Sequence, residues 1–571
     1  MTIATDRRSL LTSAGTLLLG GCAHCTFPAP SAATAAIGDA HAHFFSITDL
    51  PVAGFAKFVL IPRHFGGFPE WAQAVVDIIA WIAQALSNTA DAEARRLGSG
   101  TLGGSRGTKP SDFGREAARA HRAGLAGRTL GDRNGRRDRL SGEPEMHSDE
   151  RSASHRALAR MLGAQSEFRG LRALTEADFA AIARENPRAD AAPPADDLQC
   201  SAVQSGMFEE QALAGIRFLL RWAYLLCRPR CVHVEEYLKA IHREATRIGD
   251  VVNLLIDYDK WLDDRPRAGS QTASQVAYWT RYSDISATVP GRPRLHTFAG
   301  YDPLRDAEER VLENTPDNAT SFAAMQQWAL EGRNPQSTAP RKIAGFKVYP
   351  PMGFRPDTNA TIDVPNARGG AAIRDRWGSK FAQIGEEIDN SLSAFFKFCG
   401  DHDIPIMAHA RESNIALPEH GDDPSPRHWL ERARMVRQAG LAPLRVCIGH
   451  FDMIECPGTT TDAQVLREAL ALNAAGDARI YFDIAFDDRI LQGQAKALFD
   501  DLAKVCSPFA NGADHVMFGS DWIMLANQPN VGEYLNMVHA AASVHDYWGE
   551  KQRLAKLFGG NLAAFLNRPI S

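Results

Sequence analysis

The chain has 571 residues, more than one minimal domain needs and enough for a barrel carrying insertions. Hydrophobic residues make up 44% and charged residues 23%, the balance of a globular protein, and a formal net charge of −5 argues against nucleic-acid binding by the whole chain. Nine cysteines in this length do not make a disulfide scaffold, and no apolar run of about 20 residues offers a membrane span.

The first 21 residues carry Asp6-Arg7-Arg8-Ser9-Leu10-Leu11 and then a mild apolar run. A basic start, a short apolar stretch and small residues read as an export signal. The paired arginines resemble a twin-arginine signal. Leu19-Gly20-Gly21-Cys22 resembles a bacterial lipobox, which would make Cys22 the lipidated first residue and 22–36 a linker. The expectation is an exported, periplasmic protein that meets the membrane only through a lipid anchor.

Residues 38–45 (Gly38-Asp39-Ala40-His41-Ala42-His43-Phe44-Phe45) read as the first buried strand. Alternation along a strand points His41 and His43 the same way, and two such imidazoles can hold one metal ion. The strand-and-helix rhythm is then lost over 46–234. Residues 68–86 are apolar on most sides and read as a buried or lid helix. Residues 95–160 are rich in Arg, Gly and Ser and cannot bury a core, so they are expected to be disordered. A helix start follows at Thr175-Glu176-Ala177-Asp178, and 207–227 is a long apolar helix candidate. The insertion is expected to form a partly helical cap over a barrel mouth.

From about 235 the rhythm returns. Residues 234–248 are amphipathic at helical spacing. Continuous apolar runs then recur at 251–257, 295–300, 343–349, 404–409, 445–450, 480–484 and 516–521, separated by helical segments such as 388–399 and 428–439. Such runs mark strands buried on both faces. With the first strand they make eight, which predicts a (β/α)8 barrel of the TIM type. An open doubly wound sheet is the alternative. It is disfavoured because polar, ligand-type residues end many different strands, and only a closed barrel brings all those ends together.

Six of these residues stand out: His41, His43, Lys347, His409, His450 and Asp521, on strands one, one, four, five, six and eight. Each alone has an ordinary explanation as a satisfied polar group or a turn cap. All six at one end of a barrel predict a metal site. Imidazole and carboxylate suit Zn²⁺, with Mn²⁺, Fe²⁺ or Co²⁺ as alternatives and one or two ions in the site. A metal brings the pKa of bound water toward about 7, Asp521 would serve as general base, and His450 or the metal would polarise a carbonyl. Tyr349, Arg355, Arg411 and Trp522 lie just past strand ends, where loops set substrate choice. Arg355 and Arg411 pair either with an anionic group of a small-molecule substrate or with nearby acids such as Glu412.

Together these pieces resemble the amidohydrolase superfamily, and most of all its amidohydrolase-related (amidohydrolase 2) branch. The matching motifs are Asp39-Ala40-His41-Ala42-His43, Phe298-Ala299-Gly300-Tyr301-Asp302-Pro303, Gly345-Phe346-Lys347-Val348-Tyr349-Pro350, Pro405-Ile406-Met407-Ala408-His409-Ala410, Ile448-Gly449-His450 and Phe518-Gly519-Ser520-Asp521-Trp522. The tail from Leu557 to Phe565 resembles that family's closing helix. The resemblance covers 37–45 and 235–571. It implies that His41, His43, His409 and Asp521 bind the main metal, with His450 at a second metal or on the substrate. It leaves Lys347 two roles, a carboxylated bridge between two metals or a partner for a substrate carboxylate. Three readings of function follow: a metal-dependent hydrolase of a C–N or ester bond, a metal-dependent decarboxylase or other lyase, and a non-catalytic ligand-binding lipoprotein.

The leader generates its own test. Cys22→Ala should release the protein from the membrane fraction on cell fractionation, whereas retention with normal processing would contradict the lipobox.

Overall fold

In the computed structural model, residues 35–51, 54, 87–98, 226, 229–241, 246–262, 269–287, 289, 292–331, 341–360, 370–411, 422–451, 462–528 and 531–568 are described. The eight apolar runs become β1 (Ala35–Ala42), β2 (Thr246–Leu254), β3 (Arg294–Tyr301), β4 (Gly345–Val348), β5 (Ile406–His409), β6 (Arg445–Gly449), β7 (Arg479–Asp483) and β8 (Val516–Met517). They form one sheet in the order β1 to β8, every neighbouring pair parallel. The seam between the last and first strands is closed by backbone bonds. Ala40 N donates to Phe518 O at 2.9 Å, Asp521 N to His41 O at 2.7 Å and His43 N to Trp522 O at 3.3 Å. This is the barrel the sequence predicts.

The longer helices are α1 (Ala90–Gly98), α2 (Arg230–Ile241), α3 (Thr272–Ser286), α4 (Pro303–Val311), α5 (Ser321–Leu330), α6 (Gly370–Trp377), α7 (Ile384–Asp401), α8 (Pro426–Gln438), α9 (Asp462–Ala475), α10 (Ala495–Cys506), α11 (Tyr534–Val544) and α12 (Asn561–Leu566). Their starts follow local chemistry. The Asp302 carboxylate accepts from Leu304 N at 2.9 Å, and Pro303 fills the first helical position of α4. Thr320 caps α5 by accepting from Ala323 N. In α7 the residues Ile384, Ile388, Leu392, Phe395 and Cys399 make an inward stripe at helical spacing. Phe395 stacks on Tyr301 at 4.0 Å between centroids and meets Phe346 edge-on at 5.2 Å, so α7 is fastened to β3 and β4.

The barrel interior is filled in layers. Met407, Cys447, Tyr481 and Met517 belong to a core cluster with Val252, Leu254 and Phe298. Leu562, Phe565 and Leu566 of α12 join that cluster and plug the N-terminal end. Side chains two residues further along a strand share its face. His409, Asp483 and the position of Gly449 therefore stand one layer above Met407, Tyr481 and Cys447, toward the C-terminal ends.

Several boundaries differ from expectation, among them the first strand, which runs Ala35–Ala42 and leaves His43 to Phe45 beyond it. The helix expected over 234–248 is α2, and Thr246–Ile248 instead begin β2, pairing with Ala35–Ile37. Helical periodicity there runs on by coincidence into a β-branched stretch that β1 claims by pairing. The eighth strand ends at Met517, because Ser520 N and Asp521 N turn away to bond Asp39 and His41. Residues Arg95 to Gly98, expected to start a disordered stretch, continue the amphipathic α1. The helices expected over 68–86, at Thr175 and, but for Leu226, over 207–227, the remainder of 99–160 and the leader with Cys22 lie outside the described residues.

What is described of the insertion is tied to the barrel by one buried cation. Arg230, fully buried at the start of α2, donates to Asp49 through Nε at 2.9 Å and also through Nη2. It pairs with Glu93 of α1 at 3.1 Å and donates to Thr48 and Ser270 hydroxyls at 3.1 and 3.2 Å. Burial pushes the Glu93 carboxyl up to about 7, against the pull of Arg230. Removing one partner of such a network leaves buried charge uncompensated, which costs about 3–5 kcal/mol. Arg230→Ala should therefore lower stability by about that amount in urea unfolding; a change under about 1 kcal/mol would show the network to be dispensable.

Candidate metal centre and active site

The C-terminal ends of β1, β4, β5, β6 and β7 and the segment after β8 surround one buried polar site. His41, His43, Lys347, His409, His450, Asp483 and Asp521 are all buried. His41 Nε2 lies 4.0 Å from Asp521 Oδ1 and 3.4 Å from Lys347 Nζ. His43 Nε2 lies 3.6 Å from Asp521 Oδ1, and His450 Nδ1 lies 4.0 Å from Asp521 Oδ2. The rings of His41 and His450 are 4.3 Å apart between centroids, those of His409 and His450 4.7 Å, and those of His41 and His43 5.3 Å. All six residues singled out in the sequence are thus brought together. His41, His450 and Asp521 make the tightest grouping, with one ligand atom from each within 4.8 Å of the others. The expected main-metal set had His43 and His409 in place of His450.

The histidines are oriented from behind. His41 Nδ1 lies 2.9 Å from Asp483 Oδ2, His43 Nδ1 lies 2.8 Å from Leu254 O, and His450 Nδ1 lies 3.2 Å from Ala485 O. Carboxylate and carbonyl oxygens only accept, so each Nδ1 carries the proton and each Nε2 keeps a lone pair. His409 Nε2 is buried with no hydrogen-bond partner among the described residues. Burial holds all four imidazoles neutral: it pushes His43 down to about 3 and His41, His409 and His450 well below the usual range. Lys347 is pushed down by burial against the Asp483 and Asp521 carboxylates, and Asp521 is pushed up by burial against Lys347.

This donor set fits a divalent metal. The gaps of 4.0 and 3.6 Å from His41 Nε2 and His43 Nε2 to Asp521 are too long for hydrogen bonds. They suit atoms that share one ion, since two ligands each ~2.1 Å from a metal stand roughly 3–4 Å apart. An orphaned buried His409 Nε2 is costly unless a ligand engages it.

The backbone is strained where the ligands are aimed. His450 has φ 62°, Asp521 φ 50° and Ile523 φ 81°. Such left-handed non-glycine residues cost about 1–3 kcal/mol each and persist where surroundings over-determine them. Here His450 N donates to Asp483 Oδ1 at 3.0 Å and Asp521 N to His41 O. Two glycines make the room. A Cβ at Gly519 would sit 2.9 Å from His41 Cβ, and one at Gly449 would sit 3.0 Å from His41 Cε1.

The residues expected around the site divide. Tyr349 packs its ring on His409 at 4.5 Å. Arg355 donates through Nε to Asp423 at 3.0 Å, so a loop acid holds it. Arg411 is partly buried beyond β5, and Glu412 lies outside the described residues. Trp522 is buried edge-on against Tyr237 at 5.3 Å and backs the β8 end from outside. Two contributors went unassigned in the sequence. Asp483 holds His41, and its signal was available: a lone acid ending the seventh apolar run. Tyr258 packs on Tyr349 at 5.2 Å, with its hydroxyl pushed up by burial, by Tyr349 and by the Asp521 charge. No spacing marked it.

Eight parallel strands, helices outside them and a His–Asp cluster at the C-terminal rim define a metal-dependent hydrolase barrel. Residues 292–568 match the family model described as amidohydrolase. The matched region is of the amidohydrolase family, and the chain is an enzyme of the amidohydrolase type that uses a divalent metal. Among solved structures it is similar to a metal-dependent hydrolase of Lactobacillus casei ATCC 334 (15% identity, 59% of this chain and 84% of that one, TM-score 0.32). It is also similar to an amidohydrolase of Burkholderia multivorans with bound zinc (13% identity, 61% and 92%, TM-score 0.32). No curated protein matches the chain.

Outer partners of metal-ligating histidines are worth about 10–100-fold in metal affinity. Asp483→Asn should weaken metal binding by about that factor in a chelator competition titration. An unchanged affinity would show that His41 needs no such partner.

Proposed function

We propose that this enzyme hydrolyses a C–N or ester bond of a small molecule, with zinc as its metal, held by His41, His43, His409, His450 and Asp521. The observation that carries the reading is the convergence of buried, neutral imidazoles on the Asp521 carboxylate, with three of their proton-bearing nitrogens already engaged by Asp483, Leu254 and Ala485. A divalent metal bound there supplies Lewis acidity toward water and a carbonyl oxygen.

The chain's own groups supply the rest. Asp521 takes the proton of the attacking water on its carboxylate and returns it to the departing nitrogen or oxygen. Its carboxylate stands 4.0 Å from His41 Nε2 and 3.6 Å from His43 Nε2. His450, its Nδ1–H held by Ala485 O, keeps its Nε2 lone pair free to hold the metal. Tyr349 and Tyr258 wall the side next to His409 and keep bulk water from the reacting atoms. Lys347 reaches the same centre from β4 and is placed to meet a substrate carboxylate or to bridge two metals.

Export is part of the proposal. The basic start, the apolar run and the lipobox-like Leu19-Gly20-Gly21-Cys22 support that reading. The substrate is then a small molecule of the periplasm.

Two measurements test the mechanism. Plasma mass spectrometry of the purified wild type should find zinc, and Asp521→Asn should lower kcat on a panel of amides, lactones and esters by about 10²–10⁴-fold. Full activity in Asp521→Asn, or no metal after reconstitution, would overturn it. Release of CO2 without water uptake would replace hydrolysis by a lyase reaction.

A further inference from the structure

Opposite the metal centre, the N-terminal end of the barrel is ringed by arginines. Arg294 begins β3, Arg445 begins β6, Arg479 begins β7, Arg341 precedes β4 and Arg568 follows α12. The acids among them are few and shared. Asp250 serves both Arg294, at 3.0 Å, and His296, at 2.7 Å. Asp403 serves both Arg445 and Arg479. Among the described residues, Arg341 and Arg568 make no ion pair. Arg341 spends one donor on Leu566 O at 3.5 Å, which leaves most of its fork unused.

These two half-buried guanidiniums line the same cleft. Its volume is about 330 Å³, counting its open mouth, and Thr280, Ser283, Thr297 and His296 also face it. Lys342 at its edge is engaged by Glu331 at 2.9 Å. Asp284, exposed on α3, is the one carboxylate in the lining. The lining therefore sets two unshared guanidiniums against one carboxylate. Arg341 is pushed down by burial and by Arg568, and Arg568 by burial and by Arg294, with Asp250, already shared by Arg294 and His296, offsetting only part of it.

We propose that this cleft binds a phosphate-sized oxyanion, gripped by Arg341 and Arg568. Planar guanidinium forks match the oxygens of phosphate two at a time, and the open mouth of the cleft lets one reach both. Filling the site neutralises the crowded pair and ties the segment before β4 to the end of α12. That helix plugs the barrel, so the anion fastens the floor beneath the catalytic layer. The oxyanion is either free phosphate or the phosphate of a lipid headgroup, which a lipid-anchored protein would have within reach.

The test uses the metal-loaded full chain, wild type beside the double variant Arg341→Ala/Arg568→Ala. Inorganic phosphate is titrated calorimetrically, and vesicles of phosphatidylglycerol are compared with vesicles of phosphatidylcholine. Phosphate at the metal centre contributes equally to both proteins and cancels. Free phosphate as the ligand predicts millimolar or tighter binding that weakens at least ten-fold in the variant. A headgroup ligand predicts phosphatidylglycerol-selective vesicle binding lost in the variant. Phosphate affinity equal in the two proteins, with no selective vesicle binding by the wild type, would overturn the proposal. Should the double variant not fold, Arg568→Ala at the half-exposed end of α12 gives the same comparison.

Discussion

One carboxylate holds the place where the barrel begins and ends. Asp39 Oδ1 accepts from His41 N and from Ser520 N, both at 3.0 Å, and its Oδ2 accepts from the Tyr237 hydroxyl at 2.7 Å. Three segments far apart in the chain, β1, the turn after β8 and α2, meet on that group. Without it the two neighbouring amides would be buried donors with no acceptor, each costing about 1–3 kcal/mol. The seam matters because it sets the site. His41 and His43 come from one side of it and Asp521 from the other, and the carboxylate meets the imidazoles only if the seam closes in this register.

The same logic continues around the rim. Asp483 does for His41 what Asp39 does for the backbone. It bonds the ring nitrogen that must not be a ligand, and it also holds His450 N and Ala485 N. The site thus rests on two fully buried acids that do not themselves face substrate. Strain at His450 and Asp521 is the local cost of aiming their side chains inward, and it is offset by backbone bonds to Asp483 and to His41. Glycines at 449 and 519 are required for a related reason: His41, with Ala408 O at the first and Ala485 at the second, occupies the space their side chains would take.

The insertion shows how a barrel tolerates a long interruption. β1 and α2 are separated by nearly two hundred residues of sequence, yet β1 pairs with β2 as if they were adjacent. Loop-closure entropy grows only slowly with loop length, so the interruption costs little once its ends are fixed. Arg230 fixes them, joining Asp49 just beyond β1, Glu93 of α1 and Ser270 before α3.

Much of this was legible in the sequence. Buried parallel strands must be apolar on both faces, so each appeared as a continuous run, and eight runs meant a barrel. Ligand-type residues at the ends of those runs were visible because hydrophobic surroundings make a lone His, Lys or Asp conspicuous. The local pattern therefore determined the fold class, the strand count and the identities of His41, His43, Lys347, His409, His450 and Asp521. Tertiary structure alone decided which of them lie closest, because distances across a barrel depend on register and strand tilt, and neither is a property of any one segment. It also decided that Arg355 is held by Asp423, that Trp522 backs the site from outside, and that Tyr258 joins it. Those outcomes turn on what packs beside each side chain after eight distant strands have closed into a ring.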